Sequence, residues 1–291
     1  MTGPSRNAPI PIIDTHQHLW DVNQFKLAWI KPDDPLNRCY LPVDYLREAE
    51  GLNIVKTVYM EVDVVPDQQT AEARYILDLC DHDKKFPAAA VISGRPNSDG
   101  FAAYLDQFRD RKPLKGVRQV LHVPGTPSGY CLDPKFLAGM NALGERGLSF
   151  DLCIKPDELP NIAKLLTTCP KTSFVLDHCG NPSLKMKDLA PWKADLARVA
   201  ERENVVCKVS GFIATATKGK WTVDDLAPIV NHVLDTFGPD RVLFGGDWPV
   251  CTLGATLREW VQALQKIVAS RSEVDRKKLF HDNAARVYRL A

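Results

Sequence analysis

Two histidines two positions apart, His16 and His18, follow the apolar run from Ile10 to Ile13, and they are two of only seven histidines in the chain. Alternate side chains of an extended strand share a face, so both imidazoles point the same way. Such a pair can share one metal ion or grip one substrate oxygen. His178 ends the run Ser173-Phe174-Val175-Leu176-Asp177-His178, and Asp247 ends Val242-Leu243-Phe244-Gly245-Gly246-Asp247 ahead of Trp248-Pro249. Taken singly, His178 reads as a hydrogen-bonded structural histidine and Asp247 as a turn residue. Brought together, three imidazoles and a carboxylate can bind one divalent metal, or position and activate one water.

Other polar residues sit at comparable places. Arg118, in Lys115-Gly116-Val117-Arg118-Gln119-Val120-Leu121-His122, offers a guanidinium for a carbonyl or carboxylate, with a surface salt bridge as the alternative. Lys155 and Lys208 are weaker candidates of the same kind. Glu61 or Asp63 can line a pocket, and Trp20, Trp29 and Trp248 follow site segments and can form an apolar wall. The expected substrate contacts are Gln17, Trp20, Trp29, Glu61, His122 and Lys155.

These residues need a scaffold that makes distant segments converge. Short apolar runs begin near Ile10, Ile54, Pro87, Lys115, Leu148, Ser173, Asn204 and Arg241. They lie roughly 30 residues apart, the length of a strand and its helical crossover. Between them run stripes of helical period: Ala73, Ile76, Leu77 and Cys80; Trp192, Leu196, Val199 and Ala200; Leu226, Val230, Val233, Leu234 and Phe237; Leu257, Trp260, Val261, Leu264 and Val268. Gly147 and Gly238 fall where helices should stop. Eight strand–helix units predict an α/β fold, one (β/α)8 TIM barrel over residues 1–291, with catalytic groups at the C-terminal ends of its strands. A doubly wound open sheet is the alternative. It would more often carry a glycine fingerprint after its first strand, and Asp14-Thr15-His16-Gln17-His18 is unlike one.

Composition excludes several functions. Thirty-seven Lys plus Arg against 36 Asp plus Glu leave a net charge of +1, too little for a nucleic acid or an anionic membrane. No apolar run is long enough to span a bilayer, and Met1–Pro11 has no secretory h-region, so a cytoplasmic protein is expected. The eight cysteines form no C-x-x-C pair and several lie in strand-like runs, which predicts free, buried thiols.

From Ile10 to Leu290 the chain resembles the amidohydrolase superfamily, in its branch of small-lactone hydrolases. The resemblance rests on an ordered series. Its first members are Asp14-Thr15-His16-Gln17-His18-Leu19-Trp20, Leu114-Lys115-Gly116-Val117-Arg118, Phe150-Asp151-Leu152 and Val175-Leu176-Asp177-His178. Cys207-Lys208-Val209-Ser210-Gly211, Phe244-Gly245-Gly246-Asp247-Trp248-Pro249-Val250-Cys251 and Asn283-Ala284-Ala285-Arg286-Val287-Tyr288 complete it. The branch includes sugar-acid lactonases of the fuconolactone and rhamnonolactone types and 2-pyrone-4,6-dicarboxylate lactonase, with metal-dependent decarboxylases as neighbours.

The resemblance implies that Asp247 is the general base, that His16, His18 and His178 orient substrate or hold a metal, and that Arg118 holds a substrate oxygen. Binuclear members use a bridging lysine or glutamate on strand four and a histidine on strand five. Here strand four offers Arg118, and strand five offers Asp151 and Lys155. The implication is one divalent ion, zinc first, on His16, His18, His178 and Asp247, with a metal-free reaction beside it. The expected activity is hydrolysis of an L-fucono- or L-rhamnono-lactone-like substrate, a small molecule being the only partner expected. The rivals are a dicarboxylate lactonase or decarboxylase, and a non-catalytic barrel that binds a sugar acid. A dicarboxylate would need several basic residues at the mouth, and none matches beyond Arg118.

Overall fold

The computed structural model describes residues 9–290, so the N-terminal segment read above for a signal lies mostly outside the described residues. Eight parallel strands follow in chain order around one sheet. They are β1 (Ile12–Gln17), β2 (Ile54–Met60), β3 (Ala89–Ser93), β4 (Leu114–Val120), β5 (Ser149–Cys153), β6 (Ser173–Leu176), β7 (Val205–Val209) and β8 (Val242–Phe244). Each begins within two residues of its expected start. Beyond the ends of β1 and β8 the ring closes. The His18 N–H donates to the Trp248 carbonyl at 2.8 Å, and the Asp247 N–H donates to the His16 carbonyl at 2.7 Å. The fold is the (β/α)8 barrel; an open doubly wound sheet would leave these strands apart.

Helices cover the outside with the faces expected of them. α2 (Gln69–Asp83) buries Ala73, Ile76, Leu77 and Cys80, and α6 (Ala190–Ala200) buries Trp192, Leu196, Val199 and Ala200. α7 (Val223–Phe237) starts at a reciprocal Thr222–Asp225 cap and stops at Gly238, whose φ of 71° suits a residue without Cβ. α8 (Leu257–Ile267) starts at the same kind of cap, Thr256 with Glu259. Each cap satisfies backbone N–H groups that a bare helix end leaves unpaired, worth about 0.5–2 kcal/mol.

The barrel interior holds its own apolar plug. Ile13, Val58, Met60, Val91, Val175 and Leu243 pack there with Tyr288, which follows the C-terminal α10 (Asn283–Val287). Floor and mouth therefore differ in kind: hydrocarbon below, ionisable groups above. No disulfide joins the eight cysteines; seven are buried, and Cys39 is half-buried where full burial was expected. Among the described residues no helix is long and apolar enough to cross a membrane.

Candidate active site

His16, in β1, and His18, just beyond its end, share a direction by alternation but owe the face they take to an irregularity. Asp14 pairs with Thr57 and Gln17 with Tyr59, so three steps along β1 face two along β2. The extra residue shifts the alternation, as a bulge does. Ile13 belongs to the interior plug, yet His16 and His18 both turn toward the mouth. Buried Asp14 stabilises the junction: its carboxylate accepts the His16 N–H at 3.0 Å, the Gly246 N–H at 2.6 Å and the Tyr45 hydroxyl at 2.8 Å. A Cβ on Gly246 would lie 2.3 Å from that carboxylate, so only glycine fits. First and last strands are thus tied together by the segments that carry His16, His18 and Asp247.

One carboxylate oxygen is the meeting point. Asp247 Oδ1 lies 3.4 Å from His18 Nε2, 3.7 Å from His16 Nε2 and 4.0 Å from His178 Nε2. Lysine and arginine are absent from its ion-pair partners among the described residues, whereas Glu61, Asp151 and Asp177 each have one. Glu61 accepts Arg118 Nε at 2.6 Å, Asp151 accepts Lys208 Nζ at 2.6 Å, and Asp177 lies 3.1 Å from Lys208 Nζ and 3.6 Å from an Arg118 nitrogen. Burial pushes the Asp247 carboxyl up to about 6, with His178 and Arg118 pulling only partly the other way. Burial lowers all three histidines, His18 to about 3, so at neutral pH the imidazoles are uncharged.

Backbone conformation places the remaining groups. Asp247, His178 and Cys179 all have positive φ, at 55°, 55° and 57°. For residues with a Cβ this region is costly, and it persists where surrounding contacts impose it. Its effect at β6 is to break alternation: Asp177 and His178, adjacent in sequence, both join the charged cluster. The His178 ring rests on Gly211, where a Cβ would come within 2.2 Å of the ring. Gly211 also has φ of 74°. Gly211→Ala is expected to displace His178 and lower catalytic efficiency by about 10²-fold, the scale of a misplacement near 1 Å. Steady-state kinetics with circular dichroism as the folding control checks this.

The cavity beside these groups has a volume of about 280 Å³ and is bordered by His18, Arg118, His178 and Asp247, with Trp29 and His122 among the expected substrate contacts. The Trp29 indole is held there by donating to the Val62 carbonyl at 2.8 Å. The other expected contacts lie elsewhere. Gln17 is on the opposite face of β1, accepting the Thr57 hydroxyl at 2.7 Å, and its expected contact with substrate is corrected. Trp20 is buried edge-on to Tyr40, with ring centroids 5.0 Å apart; its indole donates to the Arg38 carbonyl. Trp248 packs edge-on to Tyr40 and Tyr45 in the core. Glu61 stands behind Arg118 and acts on the cavity through it. Lys155 is exposed and borders a neighbouring cleft with Tyr130 and Glu158.

Asp177 was not singled out from the sequence, although it lies at the centre of the charges under His16. Its Oδ1 is 3.4 Å from His16 Nδ1, and Lys208 and His16 hold it well below the usual carboxylate range against the opposing effect of burial. Its adjacency to His178 was the available signal. Tyr288, whose hydroxyl lies 3.4 Å from Asp151, gave none.

The donor set suits one cation. His18 Nδ1 lies 2.9 Å from the Met60 carbonyl, which can only accept, so that nitrogen carries the proton. Nε2 then presents a lone pair to Asp247 Oδ1, an arrangement that a metal ion or a carboxyl proton would relieve. Ligand atoms of His16, His178 and Asp247 lie within 4.8 Å of one another. A second such trio, Cys153, Asp177 and His178, shares His178 with the first, and its Asp177 is already paired with Lys208.

The chain is similar over nearly its whole length to several known proteins. An L-fucono-1,5-lactonase from Burkholderia multivorans is 30% identical over 96% of this chain and 96% of its own length. An L-rhamnono-gamma-lactonase from Scheffersomyces stipitis is 24% identical over 96% and 98%. A crystal structure of an amidohydrolase from Burkholderia multivorans with bound zinc superposes with a TM-score of 0.87 at 27% identity, covering 97% of this chain and 100% of that one. The family model described as amidohydrolase matches residues 13–290, from the strand that carries the paired histidines to the C-terminal segment under the barrel, and the chain belongs to that family.

Proposed function

We propose that this protein hydrolyses a small lactone, with sugar-acid lactones of the L-fucono and L-rhamnono type as the first class to test. One observation carries the proposal: Asp247, a buried carboxylate with no lysine or arginine partner among the described residues, borders a cavity beside three neutral imidazoles and Arg118. Asp247 takes a proton from water, and the hydroxide adds to the ring carbonyl. Arg118 and, where no ion occupies its Nε2, His178 donate to the oxyanion. Collapse breaks the ring C–O bond, the departing alkoxide takes the proton from Asp247, and an open-chain hydroxy acid leaves.

His16, His18, His178 and Asp247 would hold a divalent ion, zinc being the expected one, and that ion would polarise the carbonyl and acidify bound water. The roles of this chain's own residues remain: Glu61 aims Arg118, and Asp177 orients the His16 ring. Arg118 is the only lysine or arginine bordering the cavity among the described residues, which disfavours a dicarboxylate substrate.

The test is acid release from a lactone panel across pH. With Asp247 titrating at about 6, the base form dominates above that value. Catalytic efficiency is expected to fall about tenfold per unit as pH drops below about 6 and to level off toward neutrality. The histidines, shifted downward, add no limb near neutrality. Activity independent of pH between about 5 and 8 would remove Asp247 as the base.

A further inference from the structure

We propose that the preferred substrate is a lactone whose carbons away from the carbonyl carry methyl or methylene groups where a sugar acid carries hydroxyls. The inference rests on the lactone reading and concerns the same cavity. Its polar groups fall into two sets. His18, His178, Arg118 and Asp247 are assigned to the water and the ring carbonyl, and what remains must receive the rest of the substrate.

That remainder is mostly hydrocarbon: Val62, Val120, Val123, Ala214 and Val250, with the Cys153 thiol. These residues come from β4, β5 and the loops after β2, β4, β7 and β8, so the apolar lining is not confined to one side. Burial pushes the Cys153 thiol up to about 12, which leaves it un-ionised and a weak partner.

Of the other polar side chains bordering the cavity, Trp29, Asn181, Thr215 and Asp63 each already make a hydrogen bond within the protein. Trp29 Nε1 donates to the Val62 carbonyl at 2.8 Å, and Asn181 Nδ2 donates to the Ile154 carbonyl at 2.7 Å. The Thr215 hydroxyl donates to the Phe212 carbonyl at 2.7 Å and accepts the Leu184 N–H at 3.0 Å. An Asp63 oxygen receives Arg95 at 3.1 Å. His122 is exposed at the rim. A fully hydroxylated ring entering here would exchange water partners for valine methyls, and a buried hydroxyl without a partner is costly. A deoxygenated ring would instead bury its hydrocarbon against the same surface.

The experiment compares two 1,5-lactones of one ring size, one bearing a single methyl and no hydroxyls, the other a fully hydroxylated hexonolactone. Each kcat/KM is divided by the lactone's own rate constant with hydroxide, which removes intrinsic reactivity. The methyl lactone is expected to be favoured about 10–100-fold, the discrimination typical of an apolar pocket. Val120→Thr, which adds one hydroxyl at nearly constant volume, is expected to move that ratio several-fold toward the hydroxylated lactone. Equal or better use of the hydroxylated lactone by the wild type would overturn the inference and leave lactone hydrolysis standing. If the wild type opens neither lactone faster than buffer alone does, lactone hydrolysis itself fails and the inference with it.

Discussion

Asp247→Asn is expected to lower kcat on a lactone substrate by about 10²–10⁴-fold, the usual contribution of a positioned general base, while leaving a folded barrel. The two halves of this expectation have separate causes. Asparagine cannot take a proton from water, so chemistry is lost. Asparagine also tolerates the left-handed region, and position 247 has φ of 55°, so the turn ahead of Trp248 survives. The Asp247 N–H to His16 carbonyl bond that helps close the barrel is a backbone contact and does not depend on the side chain. Because burial raises the Asp247 carboxyl above its unfolded value, its ionised form costs stability at pH values above about 6. The variant is therefore expected to melt at or above the wild-type temperature near pH 8. Measured kcat near neutral pH, with circular dichroism and a thermal scan, tests both. A folded variant within a few-fold of wild-type kcat would take Asp247 out of the mechanism.

The same position shows why some of the site was legible in the sequence. Asp247, His178 and the His16–His18 pair each follow an apolar run, and a barrel brings the ends of such runs to one mouth. Strand starts were readable because parallel strands buried on both faces are continuous apolar runs. Direction was harder to read than position. Gln17 is adjacent to both site histidines, and alternation alone sends it to the opposite face, as found. Lys155 lies two residues beyond Cys153, where alternation along β5 would point it inward. The strand ends at Cys153 and Pro156 begins a turn, so the lysine enters another cleft. Asp177 was missed for the converse reason: the left-handed backbone at His178 and Cys179 lets consecutive side chains act in one cluster. No periodicity argument anticipates a phase change that tertiary contacts impose.

Lys208→Met is expected to destabilise the fold by about 3–5 kcal/mol, the usual consequence of removing one partner from a buried charge cluster. Lys208 is fully buried, with Asp151 at 2.6 Å, Asp177 at 3.1 Å and His16 Nδ1 at 3.5 Å. Methionine fills much of the same volume, so the loss comes from charge rather than from a cavity. Two carboxylates would then share the barrel interior, with Arg118 3.6 Å from Asp177 as the nearest remaining cation. The sign of the pH dependence follows. Asp151 already titrates at about 6 because burial outweighs Lys208, and without the lysine its pKa and that of Asp177 both rise. Groups with raised folded-state pKa values favour the native state at acid pH and lose that advantage as pH rises through them. The destabilisation is therefore expected to be smaller near pH 5, where Asp151 keeps its proton, and to grow toward pH 8. Urea unfolding of wild type and variant at the two pH values measures it. A loss equal at both would place the effect in packing, and no loss at either would mean that Asp151 and Asp177 do not need the lysine to stay buried. His16 leans on the same cluster, so the lactonase activity of the variant should fall even where the fold persists, through a displaced imidazole rather than a missing base.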